Sequence, residues 1–124
     1  MMRAIGPGNT APEMRVRRFL HSAGLRYRLH VSGLPGKPDI VLPKFRCVIF
    51  VHGCFWHRHP GCHLTTTPAT RPEFWNQKFE KNVARDHKVQ TLLEEAGWRV
   101  LTIWECETKS EKILHDLLFR IRNC

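Results

Sequence analysis

Residues 47–51 read Cys47-Val48-Ile49-Phe50-Val51. This unbroken apolar run, rich in β-branched residues, is typical of a strand at the centre of a sheet. Two further apolar stretches, Ile40–Leu42 before it and Trp98–Trp104 after it, predict neighbouring strands. Over residues 26–31 apolar and polar residues alternate, which predicts another, half-buried strand. The middle of the chain therefore builds a sheet.

Helical patterns surround these strands. Thr10–Glu13 has the form of a capping box with proline in the first turn, and the amphipathic helix behind it closes at Gly24. A long helix is predicted from about Glu73 to Ala96, and Ser110 caps a last amphipathic helix. The predicted order is α-β-β-β-α-β-α. It favours an α/β fold in one domain, residues 1–124, with a central mixed sheet flanked by helices.

The charge balance points to a polyanionic partner. Twenty Lys and Arg residues oppose eleven Asp and Glu residues, for a formal net charge of +9. Nucleic acid is the commonest polyanion in a cell, and a merely basic protein without such a partner is the alternative. The chain start lacks the pattern of a secretory signal, and no apolar run is long enough to span a bilayer. We therefore expect a cytoplasmic protein that does not bind membranes, in which clustered cysteines bind metal rather than form disulfides.

A cluster of metal-ligand residues follows the central strand, in a segment, residues 52–70, that we expect to be irregular. Residues 54–63 read Cys54-Phe55-Trp56-His57-Arg58-His59-Pro60-Gly61-Cys62-His63. Two thiols and three imidazoles thus lie within ten residues, and Cys106 follows at the end of the last predicted strand. Thiolate and imidazole are preferred Zn²⁺ ligands, and a closed structural site takes four of them. The three cysteines with one histidine of the loop complete such a set. The alternative is that Cys54, Cys62 and Cys106 are small buried residues.

Asp39 is the candidate for a catalytic metal ligand. It enters the strand Ile40–Leu42 just after Pro38, while the histidine-rich loop follows the next strand. These two points can lie side by side at one edge of the sheet. There a carboxylate can hold Mg²⁺ against a phosphate, and an imidazole can take a proton from water. The alternative role for Asp39 is that of a turn or cap residue.

Several stretches, taken in order, resemble the core of the very short patch repair (Vsr) DNA mismatch endonucleases. They are Pro35–Asp39, Arg46–His57, Pro68–Trp75, Lys81–Asp86, Gly97–Leu101 and Trp104–Cys106. The match runs collinearly from Met2 to about Cys106. The resemblance implies a fold like that of the type II restriction enzymes, with a mixed sheet between helices. It also implies Mg²⁺-dependent hydrolysis of the phosphodiester 5′ to the mispaired thymine of a T·G pair, which nicks one strand.

The resemblance assigns roles to single residues of the catalytic site. Asp39 matches the aspartate that binds Mg²⁺ together with the backbone carbonyl of Val51, a position where the family commonly has threonine. His57 matches the general base, Asp86 the carboxylate that orients it, and His52 a second active-site histidine. For Glu13 two interpretations stay open. The family has an acidic residue near the active site here, and the capping box explains the same glutamate structurally.

The resemblance also implies a zinc site and a DNA-contacting surface. It selects His59 among the loop histidines and gives the zinc ligands as Cys54, His59, Cys62 and Cys106. The aromatic residues that wedge into the base stack beside the mismatch are matched by Phe55, Trp56 and Trp75. Apolar residues of an N-terminal arm, here a short one over residues 1–9, are matched by Met2 and Ile5. From the sequence pattern alone, a place in the core is the favoured explanation of the three aromatics.

Two rival functions accompany this hypothesis. One is a zinc-stabilised DNA-binding module without catalysis, which leaves Asp39, His57 and Asp86 without a role. The other is a related nicking or restriction nuclease with a different target. The expected partner is mismatched double-stranded DNA, bound by a monomer, with mismatch-repair proteins as candidate further partners.

Overall fold

Four strands form one mixed sheet in the computed structural model, which describes residues 10–123. Their bounds are β1 Arg28–Leu29, β2 Ile40–Leu42, β3 Cys47–His52 and β4 Arg99–Trp104. The strands lie in the order β1-β2-β3-β4; the first two pairs are antiparallel and the pair β3–β4 is parallel. The run at residues 47–51 is therefore an interior strand with partners on both sides, as predicted.

The sheet lies between helices. These are α1 Ala11–Ser22, the single turn α2 Cys54–His57, α3 Pro72–Glu95 and α4 Glu111–Arg122, with 3₁₀ turns at Pro43–Phe45 and Glu105–Lys109. Both predicted N-caps are present: the side-chain oxygens of Thr10 and Ser110 accept backbone N–H bonds from Glu13 and Ile113, at 3.4 and 3.2 Å. Such caps satisfy backbone donors that the first turn of a helix leaves open.

Each face of the sheet has its own core. On one face α1 and α4 cover the strands, through Val16, Leu20, Ile40, Leu42, Cys47, Ile49, Leu101, Ile103, Leu114, Leu117 and Ile121. On the other face α3 covers Val41 and Val48, with Leu93 fully buried. Because successive strand residues point to opposite faces, the unbroken apolar run of β3 supplies both cores. The predicted α/β arrangement, a mixed sheet flanked by helices, is confirmed.

Two local predictions were wrong. The strand expected over residues 26–31 pairs only at Arg28–Leu29, and both residues are exposed. It is an edge strand, and His30 has a φ of 45°, a left-handed conformation that ends the extended backbone. The segment expected to be irregular contains α2, whose first residue, Cys54, is buried and donates its N–H to Glu105 Oε1 at 3.2 Å. The contact between Cys54 and Glu105 joins residues 51 positions apart, and a local sequence pattern cannot predict such a contact.

The parallel pair positions the functional residues. His52 ends β3, Trp104 ends β4, and the two are register partners. Helix α2 follows β3 after Gly53, so its side chains lie at the same edge of the sheet. Among residues 10–123, no helix is both long and apolar enough to cross a membrane.

Candidate active site

A cleft of about 670 Å³ opens between the sheet and α3. Its wall includes Asp39 before β2, His52 at the end of β3, His57 on α2 and Asp86 on α3. Four of the candidate catalytic residues from the sequence analysis therefore meet in one cleft. The convergence expected for Asp39 and His57 is what the structure shows.

His57 and Asp86 form a short hydrogen bond, with 2.6 Å between Nδ1 of the imidazole and Oδ2 of the carboxylate. An ionised carboxylate only accepts hydrogen bonds, so it fixes the proton on Nδ1. The other ring nitrogen, Nε2, is then the acceptor of the neutral ring. Both side chains are about one quarter exposed, at 25% and 26%. Geometry and tautomer suit a base that takes a proton from water in the cleft.

His52 stacks on His57, with 3.9 Å between ring centroids and 6° between ring planes. Burial lowers the pKa of His52 to about 4, and the neighbouring His57 acts in the same direction. His52 is therefore neutral at pH 7, which allows the two rings to stack without repulsion of like charges. Trp104 meets His52 edge-on, at 5.4 Å between centroids.

Asp39 is held against the central strand. Its Oδ2 accepts the backbone N–H of Val51 at 2.7 Å, which ties the residue before β2 to β3. Burial raises the pKa of Asp39 to about 6, and the charge of Glu13 adds to the rise, while the Val51 hydrogen bond opposes it. A carboxylate that loses solvation gains by binding a cation. The site suits Mg²⁺, which takes oxygen ligands and keeps several of its waters. The Asp39 carboxylate and the Val51 carbonyl would supply such oxygens.

The side chain of Glu13 lies close to the carboxylate of Asp39. The backbone N–H of Glu13 bonds Thr10, as in a capped helix, but its carboxylate bonds Arg17 Nη2 at 3.2 Å and His30 Nε2 at 3.0 Å. The ligand atoms of Glu13, His30 and Asp39 all lie within 4.8 Å of one another. The helix cap thus explains the hydrogen bond of the Glu13 backbone N–H. The predicted place near the active site agrees with the position of its carboxylate beside Asp39.

His30 is a site residue that the sequence analysis did not single out. In the strand predicted over residues 26–31, His30 was one of the alternating polar residues, and the pattern gave it no further role. Its left-handed backbone is what brings its side chain to Glu13 and Asp39. Only its imidazole chemistry offered a signal in the sequence.

A second group of ligand atoms lies beside this cleft. It consists of Cys54, His59, Cys62 and Cys106, whose Sγ and ring nitrogen atoms lie within 4.8 Å of one another. His59 Nδ1 is 3.6 Å from Cys54 Sγ and 3.5 Å from Cys106 Sγ. A tetrahedral zinc site with Zn–S near 2.3 Å and Zn–N near 2.0 Å has sulfur–nitrogen edges of about 3.5 Å. The four residues therefore fit a metal ion, and the set contains His59 rather than His57 or His63.

Surrounding contacts orient these ligands. Trp104 stacks on the His59 ring, with 4.4 Å between centroids and 11° between planes. Thr65 Oγ1 donates to the carbonyl of His59 at 2.7 Å, which closes the loop onto itself. Such second-layer contacts hold a ligand ring in the orientation that a metal needs. Trp104 touches both His59 and His52, so it links the two groups.

The three candidate DNA-contacting aromatics form one cluster. Phe55 lies 5.0 Å from Trp56 and 6.0 Å from Trp75, measured between ring centroids. Trp56 is 47% exposed, while Phe79 beneath the cluster is only 5% exposed. The core explanation thus fits Phe79, whereas Phe55 and Trp75 are half-buried and Trp56 presents a large apolar ring to solvent. Met2 and Ile5 lie outside the described residues.

Basic residues border this aromatic cluster. A second cleft beside Trp56 is lined by Lys78, Lys81 and Arg85, one side chain per turn along α3. Aromatic rings next to spaced cations suit a nucleic acid, since rings contact bases and cations contact phosphates. Three of the basic residues of the chain thus lie beside the aromatic cluster.

Comparison with known proteins adds independent evidence. A family model described as "DNA mismatch endonuclease Vsr" matches residues 1–63. The chain is 50% identical to the DNA mismatch endonuclease Vsr of Escherichia coli, over 93% of this chain and 73% of that protein. It is 47% identical to the type II nicking enzyme V.XorIIP of Xanthomonas oryzae, over 99% of this chain and 88% of that enzyme. The type II nicking enzyme V.NmeAIP of Neisseria meningitidis is 43% identical over 98% and 86% of the two chains.

Proposed function

The chain belongs to the Vsr family of DNA mismatch endonucleases, and from this premise we propose that it nicks one strand of duplex DNA, by Mg²⁺-dependent hydrolysis 5′ to the mispaired thymine of a T·G pair. That it is an endodeoxyribonuclease acting as a nicking enzyme follows from the relatives themselves. The T·G target and the use of Mg²⁺ are the proposal. The observation that carries it is the meeting of Asp39, His57 and Asp86 in one cleft.

The residues divide the chemistry among them. Nε2 of His57 accepts the proton of a water whose oxygen attacks phosphorus as the ester bond breaks. Asp86 holds His57 in the required tautomer and stabilises its protonated form. His52, neutral and packed against His57, lies where it can donate a hydrogen bond to a phosphate oxygen. When bound at Asp39 and the Val51 carbonyl, with Glu13 nearby, Mg²⁺ supplies charge stabilisation for the reacting phosphate.

A second metal, Zn²⁺, is proposed at Cys54, His59, Cys62 and Cys106, in a structural role. The sulfur–nitrogen separations of this cluster support it. A loop rich in polar residues packs poorly by itself. An ion with four protein ligands would fix this loop to Cys106, two residues after the end of β4. The sheet between helices, with catalytic groups at the ends of its strands, supports kinship with the type II restriction enzyme fold.

Mismatch recognition is assigned to the aromatic cluster of Phe55, Trp56 and Trp75. Wedging a ring into the base stack costs a few kcal/mol for each step opened, and a mispaired step is the cheapest to open. The exposure of Trp56 and the adjacent basic side chains support this role. We propose that residues 1–124 act as one domain, with Met2 and Ile5 contacting DNA from residues 1–9.

The candidate catalytic residues of residues 10–123 meet within a single chain, which supports a monomer. Further mismatch-repair proteins as partners belong to the same proposal.

Nicking assays on defined duplexes test the function. We expect a nick on the thymine strand of T·G duplexes, in one family of sequence contexts, and no cut in matched DNA. A panel with the other mismatches, damaged bases and unmodified recognition sites separates this from a nuclease with a different target. Equal cutting of matched and T·G duplexes would contradict the mismatch proposal.

Asp39→Asn tests whether catalysis belongs to the cleft. We expect Mg²⁺-dependent nicking to be lost while T·G duplex binding, measured by fluorescence anisotropy, stays within about twofold. Asp116→Asn, an exposed aspartate on α4, is the matched control and should nick normally. If wild type and Asp39→Asn both bind DNA but neither nicks any duplex, the chain is the non-catalytic zinc-stabilised binding module instead.

A further inference from the structure

His30 lies outside the group of catalytic residues assigned above, yet it reaches their metal-binding edge. It directly follows β1 with φ of 45°, in a region that residues other than glycine rarely adopt. Its backbone N–H donates a hydrogen bond to the carbonyl of Asp39 at 3.3 Å. The left-handed backbone changes the direction of the His30 side chain. A strained backbone conformation that directs a side chain into a functional cluster suggests that the side chain has a function in that cluster.

The imidazole of His30 lies between two carboxylates. Its Nε2 is 3.0 Å from Glu13 Oε2 and 3.8 Å from Asp39 Oδ1. Glu13 comes from the first turn of α1 and Asp39 directly precedes β2, so the three groups reach this point from separate parts of the chain. The Glu13 side chain is only 5% exposed, and those of Asp39 and His30 are 20% and 29% exposed.

We propose that His30 is a positioning residue, which holds the carboxylate of Glu13 beside Asp39 and so completes the cation-binding edge of the active site. The proposal rests on the proposed function, because it takes Asp39 as the ligand of the divalent cation. It assigns His30 no contact with DNA and no proton transfer. Its effect is carried by Glu13.

Electrostatic repulsion explains why the carboxylate of Glu13 needs a hydrogen-bond donor such as His30. Two carboxylates in a partly buried setting repel each other, and Glu13 is one cause of the raised pKa of Asp39. An N–H donor on Glu13 Oε2 offsets part of that repulsion. It also fixes the rotamer of Glu13 from the side opposite α1, whereas Arg17 fixes it from within the helix. Without His30 the Arg17 contact alone remains, and the carboxylate can swing away from Asp39.

The test is Mn²⁺ binding by the full chain without DNA, followed by electron paramagnetic resonance, together with the metal concentration that gives half-maximal nicking. For His30→Ala we expect about tenfold weaker Mn²⁺ binding, the usual scale for loss of a contact behind a metal ligand. Half-maximal nicking should need about tenfold more Mg²⁺ by the same principle, while the rate at saturating metal stays within about twofold. His30→Gln, whose amide can donate to Glu13, should restore most of the affinity.

Controls make the result interpretable. His21→Ala removes an exposed histidine from the last turn of α1 and should bind Mn²⁺ like wild type. Thermal unfolding of each variant shows that the comparison is made on folded protein. Wild-type Mn²⁺ affinity in His30→Ala, or equal losses in His30→Ala and His30→Gln, would overturn the proposal. A wild-type chain whose Mn²⁺ affinity falls in His30→Ala and is restored in His30→Gln, but which nicks no duplex, would contradict the proposed function and leave this inference standing.

Discussion

At the scale of single residues, the site depends on how each ionisable group is partnered. His57 has Asp86 at one ring nitrogen and His52 against its face, so its orientation and tautomer are both set before DNA arrives. Asp39 has lost much of its solvation and has a second carboxylate nearby. The first arrangement suits the proposed base, and the second suits the proposed cation site.

The roles of His57 and Asp86 can be separated by kinetics. We expect His57→Ala to lower the nicking rate by about 10²–10⁴-fold, the usual contribution of a general base, with DNA binding unchanged. Asp86→Asn keeps the shape but no longer fixes the tautomer, so its rate should also fall, by a smaller factor. Single-turnover nicking at saturating enzyme measures both. Glu80→Gln, on an exposed position of α3, is the control; a wild-type rate in His57→Ala would rule out its role as base.

Asp39 predicts a pH dependence of metal binding. Its carboxyl group is protonated below a pKa of about 6 and then cannot hold a cation. As pH falls from 6 to 5, the metal concentration for half-maximal nicking should rise about fivefold, because the ionised fraction of Asp39 falls from about one half to about one tenth. Calorimetric metal titration without DNA measures the same shift independently of the nicking reaction. Affinity that is constant from pH 7 to pH 5 would show that Asp39 is not the ligand.

The same raised pKa has a consequence for stability. A carboxyl whose folded-state pKa lies above its ordinary value of 3.8 favours folding at low pH, and this contribution disappears as pH rises through about 6. In metal-free protein at pH 7, Asp39→Asn should therefore raise the melting temperature, since a neutral amide keeps the acceptor for Val51 N–H. At pH 4 the difference should shrink. A lower melting temperature for Asp39→Asn at pH 7 would contradict this assignment.

At the scale of elements, β3 and β4 do more than form the sheet. Their parallel pairing puts His52 and Trp104 side by side. Trp104 then stacks on His59 of the Cys/His loop and meets His52 edge-on. A column of rings, His57, His52, Trp104 and His59, thus runs from the proposed base to the proposed zinc ligand. Because α2 is a single turn, it depends on such contacts to hold His57 in place.

Substitution of Trp104 tests this column. Trp104→Leu removes the ring faces and should lower the nicking rate by about tenfold, through looser His52 and His57, with a smaller change in DNA affinity. Trp104→Phe keeps an aromatic surface and should retain most of the rate. Zinc content, measured by elemental analysis, shows whether the loop itself is intact. If Trp104→Leu keeps its zinc and nicks like wild type, the column has no positioning role.

At the scale of the whole molecule, helices cover both faces of the sheet, and the Cys/His loop lies beside it. A chain of this length has a modest core, so a metal crosslink between residues 54–62 and Cys106 would matter to its stability. The crosslink would join the loop after β3 to the 3₁₀ turn after β4. It would thereby hold the α2 edge of the cleft against the sheet.

Metal analysis tests this crosslink. We expect about one equivalent of zinc per chain, and loss of both metal and cooperative thermal unfolding in Cys62→Ala and Cys106→Ala. Cys47→Ala is the control, because Cys47 is buried in the sheet core and lies outside the cluster; it should keep one zinc. A fully folded wild-type chain without bound metal would contradict the structural role.

Prediction from the sequence succeeded where the interactions are local. The central strand, both N-caps and the long helix were found because they depend on periodicity and on neighbours three or four residues apart. The Cys/His cluster was found because its ligand types are chemically distinctive, but the residues alone left its histidine open. The edge strand was overestimated, since pairing partners and burial decide how far such a strand extends.

The sequence by itself determined the α/β order, the apolar β3, the basic charge and, through the family, the candidate Asp39 and His57. Only the tertiary structure decided which side Glu13 faces, that His30 joins it, and that Trp104 touches both histidine groups. These contacts join residues 17 to 52 positions apart in the chain. They depend on strand register and on the crossover from β3 to β4, and neither is encoded in any short stretch of residues.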